Sequence, residues 1–134
     1  MVPATSPSVA SVATTQDAQN TQKPSIEATV VEAMLERVLV ALTEQHVDAA
    51  TPWRALLPDV TQNSRVGIKV NCLNPSCATS VAVVRALVDS LRAATGLASE
   101  QIIVWDRRQD ELQAAGFTEA AVGATVLGTV TSIT

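Results

Sequence analysis

Residues 65–71 read Arg65-Val66-Gly67-Ile68-Lys69-Val70-Asn71. Their two-residue alternation predicts a β-strand, with Val66, Ile68 and Val70 on one face and Gly67, Lys69 and Asn71 on the other. An ammonium on an inner strand is costly unless it is paired, hydrated or used, so Lys69 marks a candidate site. Downstream, Gln101-Ile102-Ile103-Val104-Trp105 is a second apolar run, and its continuous character fits a strand covered on both faces. Between them, Val81, Val84, Val88 and Leu91 recur at helical spacing, with Leu87 beside them. Thr79 or Ser80 is the expected cap, and Gly96 ends the helix as its C′ residue. Strand, helix and strand over about 40 residues make one βαβ unit, whose crossover requires parallel strands. The fold class is therefore α/β.

Elements on either side extend this unit. Pro24-Ser25 opens a helix with Ser25 as its cap, running to about Gln45. Ile26, Val30, Met34, Val38 and Leu42 form its apolar stripe, widened by Val31, Leu35 and Leu39. Thr51-Pro52 starts a short helix carrying Trp53, Leu56 and Leu57. Trp53 reads as a core anchor beneath the sheet, and Trp105 as core or as the lining of a pocket at a strand end. Asp110–Ala115 predicts another short helix, closed by Gly116. Residues 124–134, β-branched near alternate positions, predict a weak third strand. Residues 1–24, rich in Ser, Thr, Ala, Gln and Pro, read as a disordered leader, leaving 25–134 as one domain.

Composition narrows the functions. The 134 residues are 47% hydrophobic, 16% charged and 2% aromatic, with a net charge of −4. A core of Val, Leu, Ile and Ala suits helices on a parallel sheet. No basic stripe or aromatic platform supports nucleic-acid binding. No apolar run is long enough to span a membrane. The leader has neither the basic nor the apolar region of a secretory signal, so the cytoplasm is the default compartment.

Ligands of open parallel sheets sit beyond the carboxyl ends of the strands. Asn71 and Cys72 follow the first strand there, and Asp106, Arg107 and Arg108 follow the second. The N-terminus of the helix after Thr79 and Ser80 faces the same edge. Lys69, Asn71, Thr79, Ser80, Asp106 and Arg107 are thus the candidate site residues for a small anion, with Asp106 orienting Lys69. Two other readings stand beside this one. Lys69 and Asp106 form a structural pair, or Asp106 caps the helix that follows it and Arg107 is plain solvated surface. Cys72 and Cys77 offer too few ligands for a metal site, so no metal or cofactor is expected. Two thiols are the default, with a loop disulfide as the alternative for an exported chain. His46 reads as a helix-end residue. No phosphate loop, nucleophile elbow or Ser/His/Asp set occurs.

Three ordered segments carry a family resemblance. They are Trp53-Arg54-Ala55-Leu56-Leu57-Pro58, then Val66 to Cys72, then Ile102 to Arg107 followed by Glu111 to Phe117. Together they resemble the DUF362 family, uncharacterised α/β proteins of bacteria and archaea, over roughly residues 50–118. The resemblance implies an α/β domain in which Lys69, Asn71 and Asp106 match recurring positions. Relatives are longer, so the chain reads as the N-terminal part of such a domain. Its sheet would then be covered by a C-terminal part or by another chain. Some relatives are exported by a twin-arginine signal, and some are joined to a ferredoxin-like module. That company implies a redox accessory role beside an iron–sulfur partner as a further alternative to the anion-binding and structural readings.

Overall fold

The computed structural model describes residues 26–44 and 50–130. Helix α1 (Ala28–Thr43) is followed by α2 (Ala50–Leu56) and β1 (Val66–Lys69). A 3-10 turn at Pro75–Cys77 leads into α3 (Val81–Thr95), and another at Ser99–Gln101 leads into β2 (Ile102–Arg108). Then come α4 (Gln109–Ala114), α5 (Glu119–Val122) and β3 (Thr125–Val130). The sheet order is β1-β2-β3 and both pairings are parallel, so the chain is a small α/β fold with the expected βαβ arrangement. Residues 1–25, His46 and the end of the expected third strand lie outside the described residues, and Ser25 with them.

Periodicity accounts for most of these elements. In α3, Val84, Val88 and Leu91 are buried as expected, Val81 and Leu87 half-buried. Gly96 closes the helix in the left-handed region at φ 74°, where a glycine carries no Cβ penalty. The helix-facing row Val66, Ile68, Val70 lies beside Ile102 and Val104 and joins one cluster with α3, Leu112, Phe117 and Val122. Helix α5 was not evident from periodicity. Its signal is short: Thr118 caps it, its hydroxyl accepting from Ala121 N at 3.1 Å, and Gly123 stops it.

Four expectations are corrected. First, among the described residues β1 is an edge strand, not an inner one, so Lys69 sits where lysines commonly guard an exposed edge. Second, β2 is covered on one face only. Ile102, Val104 and Asp106 are buried, whereas Ile103 and Trp105 are half-buried and Arg107 is exposed. Trp105 is therefore not core. It lies across from Lys69 and against Gly67, where a Cβ would meet the indole Nε1 at 3.2 Å.

Third, β2 runs on through Asp106, Arg107 and Arg108, which pair with β3 rather than opening a loop. Fourth, α1 turns the other way about its axis. Val31 and Leu39 are buried and Leu35 half-buried, while Ile26, Val30, Met34, Val38 and Leu42 are 51–66% exposed. Its cap is Glu27, at the end of an extended approach. Trp53 is buried as expected, but in the helical layer, where its Nε1 donates to Ser90 Oγ of α3 at 2.8 Å.

Candidate functional site

Asp106 is the buried charged side chain among the described residues. Strand β2 turns its carboxylate toward the helical side, where three segments supply donors. Lys69 Nζ donates to Oδ1 at 2.7 Å, Arg107 N to Oδ1 at 2.8 Å, and Cys72 N to Oδ2 at 2.7 Å. Burial pushes the carboxyl up, but the bonds from Lys69, Arg107 and Cys72 outweigh it and hold Asp106 below the ordinary carboxylate range. Asp106 does not cap α4, whose cap position is Arg108.

Lys69 reaches this acid from the opposite face. Alternation points its side chain to the open side of the sheet, and the flexible stem carries the amine around the end of the β1 edge. There it also donates to the neighbouring Val70 carbonyl. Its side chain stays 51% exposed, and the amine stands 5.6 Å from the centre of the Trp105 ring. The ion pair is thus half wet: a buried acid, a reachable amine and an aromatic plane beside it.

The remaining candidates divide between two other structures. Asn71 and Thr79 close the loop after β1. Thr79 N donates to Asn71 O at 2.9 Å, and Asn71 N donates to Thr79 Oγ1 at 2.9 Å. Asn71 Oδ1 also accepts from Leu73 N at 3.3 Å. Ser80 is the α3 cap by position, without a side-chain bond. Arg107 Nη2 donates to Glu111 Oε1 at 2.7 Å and is otherwise solvated. A cleft of about 450 Å³ at the start of α3 is lined by Thr79, Ser80 and Arg85, but not by Lys69, Asn71, Asp106 or Arg107. The Lys69–Asp106 pair is therefore the meeting expected from strand order, and the six candidates do not converge on that cleft.

Cys72 and Cys77 are both free, Cys72 buried and Cys77 exposed. Burial raises the Cys72 thiol, the Asp106 carboxylate adds to this, and the opposing pull of Lys69 is smaller. A thiol so placed is a weak nucleophile. No group of three or more metal-ligating side chains forms among the described residues, and no described helix is long and apolar enough to cross a membrane.

Sequence reasoning missed the two backbone donors of Asp106, since no residue type announces where an amide will point. It also missed Gly128. That glycine pairs with Asp106, and a Cβ there would lie 2.2 Å from Gln109 N. The glycine in a β-branched run was a visible signal of close backbone approach. Comparisons with protein-family models, curated proteins and solved structures give no match.

Proposed function

We propose that this chain is a non-catalytic α/β subdomain that acts by association, with Lys69 and Asp106 as a structural pair. The observation supporting this is the open face of the sheet. Parallel sheets are almost always covered on both sides, yet here Ile103 and Trp105 are only half-buried and Leu127 beside them is 50% exposed. The occupant is an apolar helical layer from another polypeptide chain, completing a three-layer sandwich. The three hydrogen bonds that Asp106 accepts from Lys69, Arg107 N and Cys72 N support a fixed role for the pair.

Sedimentation velocity over a concentration series, with binding of the apolar dye anilinonaphthalene sulfonate, tests this reading. Wild-type protein is expected either to bind the dye or to self-associate. Leu127→Lys is expected to suppress whichever occurs while leaving the thermal midpoint within a few degrees, as for an exposed substitution. Protein that does neither, or a variant that behaves like wild type, contradicts the proposal.

The half-exposed Lys69 amine favours a second reading, a small anionic ligand at the strand ends, held by Lys69 with Asn71 and the start of α3. Titration with inorganic phosphate distinguishes the two. Saturable amide shifts at residues 69–72 and 79–83 that Lys69→Ala abolishes would support the ligand reading. Their absence would leave the structural one.

A further inference from the structure

A second concave surface lies in the helical layer, away from the sheet face and the Lys69–Asp106 pair. Helices α1, α2 and α3 enclose a groove of about 340 Å³, within the range of small-molecule sites. Its floor is apolar: Leu35 and Leu39 of α1, Pro52 of α2 and Ala86 of α3. Its rim is acidic: Glu32 and Glu36 on α1, with Asp89 on α3.

The acids are not equivalent. Asp89 has its own partner, Arg85 Nε at 2.7 Å. Glu32 and Glu36 form no ion pair among the described residues. They stand four residues apart on one helix face, an arrangement that destabilises a helix by mutual repulsion. A cation between them removes that repulsion, and a hydrocarbon body attached to it covers the floor.

We propose that this groove binds a small amphipathic organic cation of the alkylammonium class, its ammonium between Glu32 and Glu36 and its chain on Leu35, Leu39, Pro52 and Ala86. Charge complementarity selects this occupant: a fatty carboxylate would meet the same rim with like charge. The inference does not depend on the association role of the sheet.

Two-dimensional amide spectra of the intact chain during titration with hexylammonium chloride, sodium hexanoate and 1-hexanol test it. Hexylammonium is expected to give saturable shifts centred on residues 32–39 and 86–90, with hexanoate at least about tenfold weaker. Glu32→Gln combined with Glu36→Gln is expected to raise the hexylammonium Kd about tenfold, the sum expected of two exposed ion pairs. The same double variant should leave 1-hexanol binding unchanged. Both side chains are exposed, so the fold survives the change. The proposal is overturned by absence of saturable shifts in the groove, by equal affinity for hexanoate, or by an unchanged Kd in the double variant.

Discussion

At Asp106, three donors from three points of the chain offset the cost of burying a carboxylate. Asparagine has nearly the same shape but one acceptor oxygen, so Asp106→Asn turns an NH2 group toward Cys72 N or toward Lys69 and Arg107 N. A buried donor left unpaired costs about 1–3 kcal/mol, and the lost charge adds to it. Urea denaturation at pH 7 is expected to show a loss of about 3 kcal/mol. The folded carboxyl titrates below its unfolded value. Its stabilisation is therefore fully present above the unfolded value, near pH 4, and is lost as pH falls through the lower folded value. Wild-type stability should decline over that acid window, and the Asn variant should decline less steeply. Asp110 and Glu100 are also lowered, so some slope persists in the variant.

Elements show where tight backbone contact sets the fold and where it does not. Gly128 lies under the start of α4: a Cβ there would stand 2.2 Å from Gln109 N and 2.7 Å from Gln109 Cα. These are backbone atoms, held in place because Gln109 Oε1 accepts from Gly128 N at 2.7 Å. Gly128→Ala must push α4 off β3, and a loss above about 3 kcal/mol is expected. At Gly67 the nearest atom is the Trp105 indole, a side chain on an open face that can tilt away. Gly67→Ala should therefore cost under about 1 kcal/mol by the same thermal or urea measurement.

The two faces of α1 make a similar contrast. Leu39→Ala empties a buried position and is expected to cost about 2–3 kcal/mol, whereas Met34→Lys should stay within about 0.5 kcal/mol. The orientation of α1 was not legible because its apolar residues cover about half the circumference. Hydrophobicity identifies that arc as apolar, but the packing of α3 and Pro52 decides which part of it is buried. The stripe of α3 is narrower and was read correctly.

Across the whole molecule, the face of the sheet carrying Ile102 and Val104 is fully buried while the face carrying Ile103, Trp105 and Leu127 is not, and stability should grade outward from the buried face. The βαβ order, the parallel pairing and the Lys69–Asp106 meeting were legible because they follow from strand sequence and chain reversal. The half-buried second face was not, because Ile102, Ile103, Val104 and Trp105 are apolar on both sides and read as doubly buried. Strand β2 is bonded to neighbours on both edges, and its Ile102 and Val104 are fully enclosed with Val88 and Leu91 of α3. Helix α1 instead rests on α2 and α3, buries Val31 and Leu39, and has no side-chain cap at its start. Local opening follows buried apolar contact and the protection of backbone hydrogen bonds. Native-state hydrogen exchange should therefore show the amides of β2 and the centre of α3 opening with the global unfolding free energy. The α1 amides should open at a lower free energy and with a smaller denaturant dependence, because less surface is exposed. Should α1 and β2 instead open together with the same slope, the helical layer and the sheet would be one cooperative unit. The outward grading of stability would then be wrong.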